Sequence, residues 1–355
     1  MNNGLALKKE SNYSCSTDEK SWYRSIILFI TNRCDVGCPT CNTGATSDST
    51  AFLSPEWVER FIDNVSQRET WIIWTGGEPF QAPDTLCAGV KAATERGFYS
   101  EILTSGYWYR DHPELLNKVK TGGIFRIRIS LDPEHQRVVS MPVIHDLIDG
   151  CLASGIPVGF TVRKIPSYNS SRVIDSLLQK HPALIKANGS SSRIFHIIPT
   201  IPSNMSIKND RTPRFSDLPC QQGFKDLVIG PDGRVYPCCG LFGLGIDDNV
   251  YGYNSPLENM ECFNDPKYQE YPLFKSLMGD GPYRLGIQQG LIPYILPMAG
   301  YTCQCHACRA IVKKLVEKYP DHPLFNRGRL ESSSTKDLRI YSALETEPSQ
   351  EADRS

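Results

Sequence analysis

The 355-residue chain lacks a charge imbalance, a long apolar run and any internal repeat. Its net charge of −1 excludes a global field that would draw the protein to nucleic acid or anionic lipid. The apolar run Ile26–Ile30 has the length of a strand, which is too short to span a membrane. A signal-peptide pattern is also missing from the first residues. We therefore expect a cytoplasmic protein with no membrane and no nucleic-acid partner.

Cysteine, in contrast, is abundant, with 13 residues in the chain. A disulfide scaffold is typical of short secreted domains, and a chain of this length without a signal pattern does not fit that class. Seven cysteines form two spaced groups, a first cysteine group of Cys34, Cys38 and Cys41 and a second cysteine group of Cys220, Cys238, Cys305 and Cys308. Metal binding accounts for this spacing better than core packing does.

Strands and helices are predicted to alternate through the first 200 residues. The predicted strands cover 25–31, 70–75, 99–104, 125–130, 158–162 and 193–199, and the predicted helices cover 54–65, 84–96, 112–119, 141–154 and 173–180. In the first helix, Ser54 is the expected N-cap and Pro55 the first residue. Six such units favour an α/β fold with a parallel sheet, whose active site lies at the carboxyl ends of the strands.

The composition predicts five segments along the chain. They are a flexible arm at 1–20, a core at 21–200, a linker at 201–219, a smaller domain at 220–327 and a disordered tail at 328–355. The smaller domain contains a predicted β-hairpin at 224–236 and a predicted helix at 307–317. Residues 240–300 show no clear period, so no element is predicted there.

The first cysteine group has the spacing C-x3-C-x2-C and follows a predicted strand. Three thiolates on one loop can hold three irons of a cubane cluster and leave the fourth iron open for chemistry. Zinc is the alternative, but it prefers a closed tetrahedral site, and no histidine lies near this loop in the sequence. The spacing resembles that of radical S-adenosylmethionine (radical SAM) enzymes, and the resemblance covers roughly residues 24–200.

That resemblance implies a partial (β/α)6 radical SAM barrel followed by a small hairpin-plus-helix domain. It implies that the first cysteine group binds a [4Fe–4S] cluster whose open iron is chelated by SAM. One electron then cleaves SAM to a 5′-deoxyadenosyl radical, which abstracts a hydrogen atom. An electron donor such as flavodoxin or ferredoxin is the implied partner.

Gly76, Gly77, Glu78 and Pro79 follow the second predicted strand and look like the second motif of this family; we call them the GGEP motif. Glycines let the backbone approach a ligand closely, and Glu78 is a candidate acceptor for the SAM ammonium group. A surface turn is the alternative interpretation. The cysteine loop one unit upstream favours cofactor binding.

Further candidates for SAM binding follow later strands. Ser130 and Asp132 resemble residues that contact the ribose or carboxylate of SAM, and Arg163 resembles an arginine that pairs with the carboxylate. Their alternatives are a capping pair and a solvated charge. Thr40 departs from the family pattern, because the position before the third cysteine is often aromatic and touches the adenine.

The second cysteine group resembles the twitch domain, a short form of the SPASM domain that carries auxiliary clusters. The resemblance implies one auxiliary [4Fe–4S] cluster, with a structural zinc site as the alternative. Cys303 is an additional cysteine that either replaces Cys305 as a ligand or has no ligand role. Four thiolate ligands would close the cluster, which favours electron transfer or a structural role.

Two further residues are candidates for catalysis. Cys239 follows Cys238 directly, and neighbours in a strand point to opposite faces, so Cys239 is a candidate hydrogen-atom donor to a substrate radical. A packed thiol is the alternative. His135 is a candidate proton-transfer group, with a surface histidine at a helix start as the alternative.

Three functions are compatible with these patterns. The first is a peptide-modifying enzyme of the kind that matures ribosomally made natural products, by epimerisation or by thioether or carbon–carbon crosslinking. The second is a dehydrogenase or epimerase of a small sugar or aminocyclitol. The third is a non-catalytic iron–sulfur or zinc protein, and the GGEP motif argues against it.

Overall fold

A computed structural model describes much of the chain. It covers residues 25–38, 41, 43–65, 71–164, 170–188, 194–199, 201–202, 219–220, 225–236, 238–241, 272–291, 301–302 and 304–325. The predicted arm, the predicted tail and all but the ends of the predicted linker lie outside these residues. So do Thr40 and Cys303.

The main sheet has eight strands in the order β6-β5-β4-β3-β2-β1-β8-β9. Its strands are β1 (Ser25–Thr31), β2 (Trp71–Gly76), β3 (Tyr99–Thr104), β4 (Arg126–Leu131), β5 (Val158–Lys164), β6 (Phe195–Pro199), β8 (Asp226–Ile229) and β9 (Val235–Tyr236). Strands β1 to β6 are parallel to one another, and β8 is parallel to β1. Two short strands, β7 (Ile201–Pro202) and β10 (Tyr301–Thr302), form a separate antiparallel pair. The α/β class and the mostly parallel sheet agree with the predicted partial barrel.

Ten helices accompany these strands in the described residues. They are α1 (Pro55–Asn64), α2 (Pro83–Glu95), α3 (Glu114–Thr121), α4 (Pro133–Gln136), α5 (Met141–Ala153), α6 (Ser170–Lys180), α7 (Ala183–Asn188), α8 (Pro272–Gly279), α9 (Pro282–Gln288) and α10 (Gln304–Lys318). Ser54 caps α1 as predicted, since its side chain accepts a hydrogen bond from Trp57 N at 3.2 Å. Helices α4, α7, α8 and α9 were not predicted, because segments this short do not show a helical period. Among the described helices, none has both the length and the hydropathy of a membrane span.

Strand alternation divides the sheet into two faces. Ile26, Leu28 and Ile30 of β1 are fully buried in the core that includes residues of the surrounding helices. Their neighbours Ile27 and Phe29 point to the opposite side. We call that side, which carries Ile27, Phe29 and Val228, the inner face of the sheet. The inner face is therefore the side available to line a site.

The C-terminal hairpin joins the main sheet, which the sequence did not predict. Strand β8 pairs with β1 from Ser25 opposite Asp226 to Leu28 opposite Ile229. Ser25 Oγ also donates a hydrogen bond to Asp226 Oδ1 at 2.5 Å. Without β8, this edge of β1 would expose unpaired backbone groups. The sheet thus crosses the predicted domain boundary at residue 220.

A second apolar core forms beyond the hairpin. Helix α8 contributes Leu273 and Phe274, and helix α10 contributes Ile311 and Leu315. Three cysteines of the second cysteine group pack against this core, namely Cys220, Cys238 and Cys308. Leu241, in the turn that follows β9, belongs to this core, so the second core adjoins the β9 edge of the main sheet.

Candidate active site

The first cysteine group lies on a loop that starts where β1 ends. Asn32 N donates to Ala51 O at 3.1 Å, and Cys34 N donates to Thr46 O at 3.0 Å. Thr46 N returns a bond to Asn32 O at 3.2 Å. The returning strand of the loop thereby holds the segment before the cysteines in an extended conformation at the carboxyl end of β1.

The thiols of this loop differ in acidity. Burial raises the pKa of the Cys34 thiol to about 12. Burial also raises the pKa of Cys41, but hydrogen bonds from Thr43 and from backbone N–H groups of the loop outweigh it, so that pKa lies below its usual value. The Cys41 Sγ to Thr43 Oγ1 distance is 3.2 Å. Thiols bind iron as thiolates, so Cys41 would ionise more readily than Cys34, and binding of a metal would have to drive the ionisation of Cys34.

The GGEP motif packs against the backbone of this loop. Gly77 N donates to Thr31 O, and Glu78 N donates to Arg33 O, each at 2.8 Å. A Cβ on Gly77 would lie 2.2 Å from Arg33 O and 2.9 Å from Cys34 Cβ. Gly76 has φ +149°, and a Cβ there would lie 2.2 Å from Thr31 O. Both glycines are therefore required for the approach of the cysteine loop to the end of β2.

Both carboxylate oxygens of Glu78 accept hydrogen bonds from protein donors. Its Oε1 accepts from Thr104 Oγ1 at 2.7 Å and from Phe80 N at 3.3 Å. Its Oε2 accepts from Ser105 N at 2.9 Å and from Ser105 Oγ at 2.5 Å. Burial raises the pKa of this carboxyl, whereas the four donors favour its ionised form. The expected contact between this carboxylate and the SAM ammonium stays a prediction, and these four bonds leave the backbone of the motif as the better candidate.

We expect Glu78→Gln to lower the free energy of unfolding of the metal-free protein by about 1–3 kcal/mol. An amide nitrogen in place of a carboxylate oxygen would face donors at Thr104 or Ser105 and leave them unpaired. Urea denaturation measures the loss. Glu59 is exposed on α1, so Glu59→Gln is the matched control, and an equal effect of the two changes would contradict this account of Glu78.

Asp132 and His135 form a chain that ends at the first cysteine group. Asp132 Oδ1 caps α4 by accepting from Glu134 N at 3.0 Å and His135 N at 3.1 Å, and it lies 2.9 Å from His135 Nδ1. His135 Nε2 lies 3.7 Å from Cys38 Sγ. Burial lowers the pKa of His135, but the bonds to Asp132 and Cys38 raise it to about 10. His135 is thus largely buried beside a cysteine of the predicted cluster, and its predicted catalytic role stays a prediction.

The remaining predicted SAM contacts lie on two neighbouring strands. Ser130 is half-buried on β4, opposite Thr161 of β5. It alternates with the fully buried Ile129, which places it on the inner face. Arg163 is a residue of β5, and its side chain lies outside the described part of the structure. The roles of Ser130 and Arg163 therefore stay predictions.

The second cysteine group converges around one turn. Cys305 and Cys308 lie three residues apart on α10, hence on the same side of the helix. A Cβ on Gly240 would lie 3.6 Å from Cys305 Cβ and 3.9 Å from Cys238 Sγ, so these two cysteines flank the turn. Burial raises the pKa of Cys238, and the charges of Cys239 and Cys220 raise it further.

Cys239 and Cys238 contact different parts of the molecule. Cys238 packs on the C-terminal core, whereas Cys239 packs with Phe29 and Val228 on the inner face of the sheet. The predicted divergence is present, but for a different reason, because Cys239 begins a short 3₁₀ turn after β9 and does not lie in a strand.

Polar atoms that the sequence did not single out point to a ligand near these loops. Asn32 Oδ1 and both amide atoms of Gln136 are buried and have no hydrogen-bond partner. Asn32 follows β1, and Gln136 ends α4 next to His135. An unsatisfied buried polar group costs about 1–3 kcal/mol, so a missing ligand is a physical explanation for three of them at this edge. Only Asn32 had a signal in the sequence, its position just after a strand, and Gln136 had none.

The donor chemistry fits the implied iron–sulfur groups. Both groups consist of thiols, the ligands that hold such clusters in proteins. Within the described residues, no three His, Cys, Asp or Glu side chains are already arranged to hold a metal ion. The charges of Cys38 and Cys41 both raise the pKa of Cys34, so these two thiols lie within electrostatic range of Cys34.

Solved structures of low sequence identity resemble this fold. BtrN in complex with AdoMet and 2-DOIA is 15% identical, with 75% of this chain and 91% of that chain covered and a TM-score of 0.47. Native anSMEcpe with bound AdoMet and Cp18Cys peptide is 12% identical, with coverages of 83% and 96% and a TM-score of 0.46. Streptococcus suis SuiB bound to precursor peptide SuiA is 14% identical, with coverages of 91% and 84% and a TM-score of 0.37.

A family model also matches part of the sequence. The description of the family is the radical SAM superfamily, and the match covers residues 28–150, which include the first cysteine group and the GGEP motif. Residues 28–150 of this chain are therefore similar to the radical SAM superfamily.

Proposed function

We propose that this enzyme abstracts a hydrogen atom from a carbon of a peptide substrate and returns a hydrogen atom from Cys239, which epimerises that carbon. The observation that supports this proposal is the position of Cys239, whose side chain packs with Phe29 and Val228 on the inner face of the sheet. A substrate bound at the carboxyl ends of the strands would lie on that side. Thioether or carbon–carbon crosslinking of a peptide is the outcome to be distinguished from epimerisation.

The first cysteine group would hold the [4Fe–4S] cluster. The backbone of the GGEP motif, Ser130, Asp132 and Arg163 are the candidates for orienting SAM. The chemistry that the cluster and SAM would supply here is a 5′-deoxyadenosyl radical, which would become 5′-deoxyadenosine on taking a hydrogen atom from the substrate. Asp132 keeps His135 directed at Cys38, so the pair would also fix one side of the loop.

The second cysteine group would hold one auxiliary [4Fe–4S] cluster, with Cys303 as the alternative to Cys305. Four thiolates close such a cluster, so its role would be electron transfer or structural support. The positions of Cys238 and Cys305 on either side of Gly240, and the charge interaction between Cys238 and Cys220, support this assignment.

Cys239 would complete the reaction on the substrate. The substrate carbon radical takes the hydrogen atom from the Cys239 S–H, which forms a C–H bond of inverted configuration and leaves a thiyl radical. One electron from a reducing protein such as flavodoxin or ferredoxin and one proton from solvent restore the thiol. The half-buried position of Cys239 limits access of water and of other hydrogen donors to the thiyl radical on this residue.

We expect Cys239→Ala to abolish the epimerised product while 5′-deoxyadenosine is still formed, because the variant abstracts hydrogen but cannot return it. The reaction is run on a precursor peptide encoded near the gene, and product is read as D-amino-acid content. In D₂O the wild-type product gains one deuterium per epimerised residue, since the thiol exchanges with solvent.

Cys87, a half-buried cysteine on α2 outside both groups, provides the control, and Cys87→Ala keeps wild-type activity. Unchanged product from Cys239→Ala would show that Cys239 is not the donor. A loss of mass from the peptide without D-amino acids would indicate crosslinking.

A small sugar or aminocyclitol is the second candidate substrate. The observation that favours it is a charged network on one face of β3 and β4, where Arg126 donates to Glu101 Oε1 at 3.0 Å and to Oε2 at 2.9 Å and Arg128 donates to Oε1. Arg126 and Arg128 alternate with the fully buried Ile127 and therefore lie on the inner face. A polar inner face suits a polyol, and a decrease of about two mass units in a small molecule, the loss of two hydrogens, would identify this oxidation.

A further inference from the structure

The charged network on the inner face of the sheet holds more positive than negative charge. Arg126 and Arg128 of β4 both donate hydrogen bonds to Glu101 of β3. The side chain of Glu101 is buried, with 5% of its surface exposed. One carboxylate therefore faces two guanidinium groups, and a buried charge is costly unless a partner neutralises it. The excess positive charge favours an anionic ligand at this position.

The two arginines differ in how many of their donors the protein uses. Arg126 donates from Nε to Glu101 Oε1 at 3.0 Å and from Nη2 to Oε2 at 2.9 Å. Its guanidinium also lies 5.0 Å from the ring centre of Trp71. Arg128 donates from Nε alone, to Glu101 Oε1, and its two Nη groups have no hydrogen-bond partner among the described residues. Arg126 is thus held by protein contacts, whereas Arg128 keeps a pair of donors that suits a carboxylate.

The strand beside Arg128 leaves this part of the inner face open. Gly159 of β5 pairs with Arg128 in the sheet register. A Cβ on Gly159 would lie 3.8 Å from both Arg126 Cδ and Arg128 Cγ, so no side chain covers the stems of the arginines from this position. A glycine inside a strand is typical of a place where a ligand approaches closely. The side chain of Arg128 keeps 17% of its surface exposed.

The place of Arg128 on its strand sets its depth below the candidate SAM contacts. Arg128 lies two residues before Ser130 on β4 and shares its face of the sheet. Two residues span about 7 Å along a strand, so Arg128 lies about that far from Ser130 toward the amino end. A substrate that enters from the carboxyl ends of the strands could therefore reach Arg128 with one end and place another part near SAM.

We propose that Arg128 is a specificity-determining residue that binds a carboxylate of the peptide substrate through its two Nη groups. The inference rests on the proposed function, since it takes the substrate to be a peptide. The carboxylate belongs either to an Asp or Glu side chain or to the C-terminus of the peptide. A bidentate contact of this kind fixes the orientation of the peptide and hence which carbon faces the radical.

The test is the binding of the precursor peptide encoded near the gene to reconstituted enzyme with SAM and without reductant, so that no turnover occurs. Anaerobic calorimetry measures the dissociation constant. In Arg128→Gln we expect this constant to rise roughly tenfold, because charge-assisted hydrogen bonds are lost. A second set of peptides carries Asn or Gln in place of single acidic residues, or an amidated C-terminus.

One peptide of the second set should lose the same roughly tenfold in affinity for the wild type and lose nothing further in Arg128→Gln. The identity of that peptide distinguishes a side-chain carboxylate from the C-terminal one. Arg128→Lys keeps the charge without the planar pair of donors, so we expect an intermediate constant. If Arg128→Gln does not fold, Arg128→Lys is measured with the same peptides. Arg96 is exposed and pairs with Asp63, so Arg96→Gln is the matched control with unchanged affinity.

Equal affinity of the wild type and Arg128→Gln for the precursor peptide would overturn the proposal. So would losses that simply add when the variant meets each neutralised peptide, since two groups in contact do not act independently. A peptide that the wild type does not bind would refute the peptide substrate and with it the proposed function. A peptide that binds the wild type and Arg128→Gln equally would refute only the role of Arg128.

Discussion

Replacement of Cys34, Cys38 and Cys41 together by Ala is expected to abolish SAM cleavage and to lower the iron content from about eight to about four per chain. These thiols are the only ones on the loop at the carboxyl end of β1. Without them no open iron would remain for SAM, while the second cysteine group would still load its own proposed cluster. Anaerobic reconstitution with iron and sulfide analysis measures the content, and 5′-deoxyadenosine formation measures cleavage.

The control for this experiment is Cys87→Ala, which removes a thiol outside both groups and leaves the iron content unchanged. A fall from about four irons to none would mean that the second cysteine group binds zinc or no metal. That result would contradict the proposed auxiliary cluster but would agree with a cluster on the first cysteine group. An iron content that did not change at all would contradict the assignment of the first cysteine group.

The second large effect is expected from Gly77→Ala, which should prevent loading of the first cluster and stop SAM cleavage. The new Cβ would lie 2.2 Å from the backbone oxygen of Arg33 and 2.9 Å from Cys34 Cβ. A contact below 3.0 Å with backbone forces the cysteine loop to move, since no flexible side chain can yield. Overpacking of this kind costs roughly 1–3 kcal/mol, and here the strain falls on the loop that carries the ligands.

Gly159→Ala is the matched control for this change. Gly159 lies in β5, and a Cβ there meets its nearest atom, Ile194 O, at 3.4 Å, which is an ordinary contact. We expect Gly159→Ala to retain iron and activity. Iron content and the electron paramagnetic resonance signal of the reduced protein report the result. Normal loading of Gly77→Ala would show that the loop tolerates the displacement and that its glycine is not required.

The parts of the fold that the sequence predicted are those with local signals. The strand at Ser25–Thr31 was predicted with its observed bounds from a continuous apolar run, and the cap at Ser54 from one serine before a proline. Spacing alone grouped the cysteines of each set. Short helices such as α8 and α9 were missed, because fewer than three turns carry too little periodic signal.

Sequence patterns could not predict which hydrogen bonds and contacts individual side chains make. Glu78 was expected to meet a ligand, yet in the fold its carboxylate accepts four hydrogen bonds from Phe80, Thr104 and Ser105. The glycines of the GGEP motif were expected to let the backbone approach a ligand closely. In the fold they let it approach the backbone of the cysteine loop closely. His135 was open between a surface and a catalytic position, and its contact with Cys38 depends on how α4 is placed beside that loop.

The sequence by itself determined the α/β class, the order of strands and helices and the division of seven cysteines into two spaced groups. Periodicity, capping and spacing are local properties of the chain. Only the tertiary structure decided that β8 pairs with β1, a contact made across 201 positions at Ser25 and Asp226. The same long-range packing places Cys239 on the inner face of the sheet. Such contacts depend on which edges and surfaces meet after the elements have formed, and no local pattern records that choice.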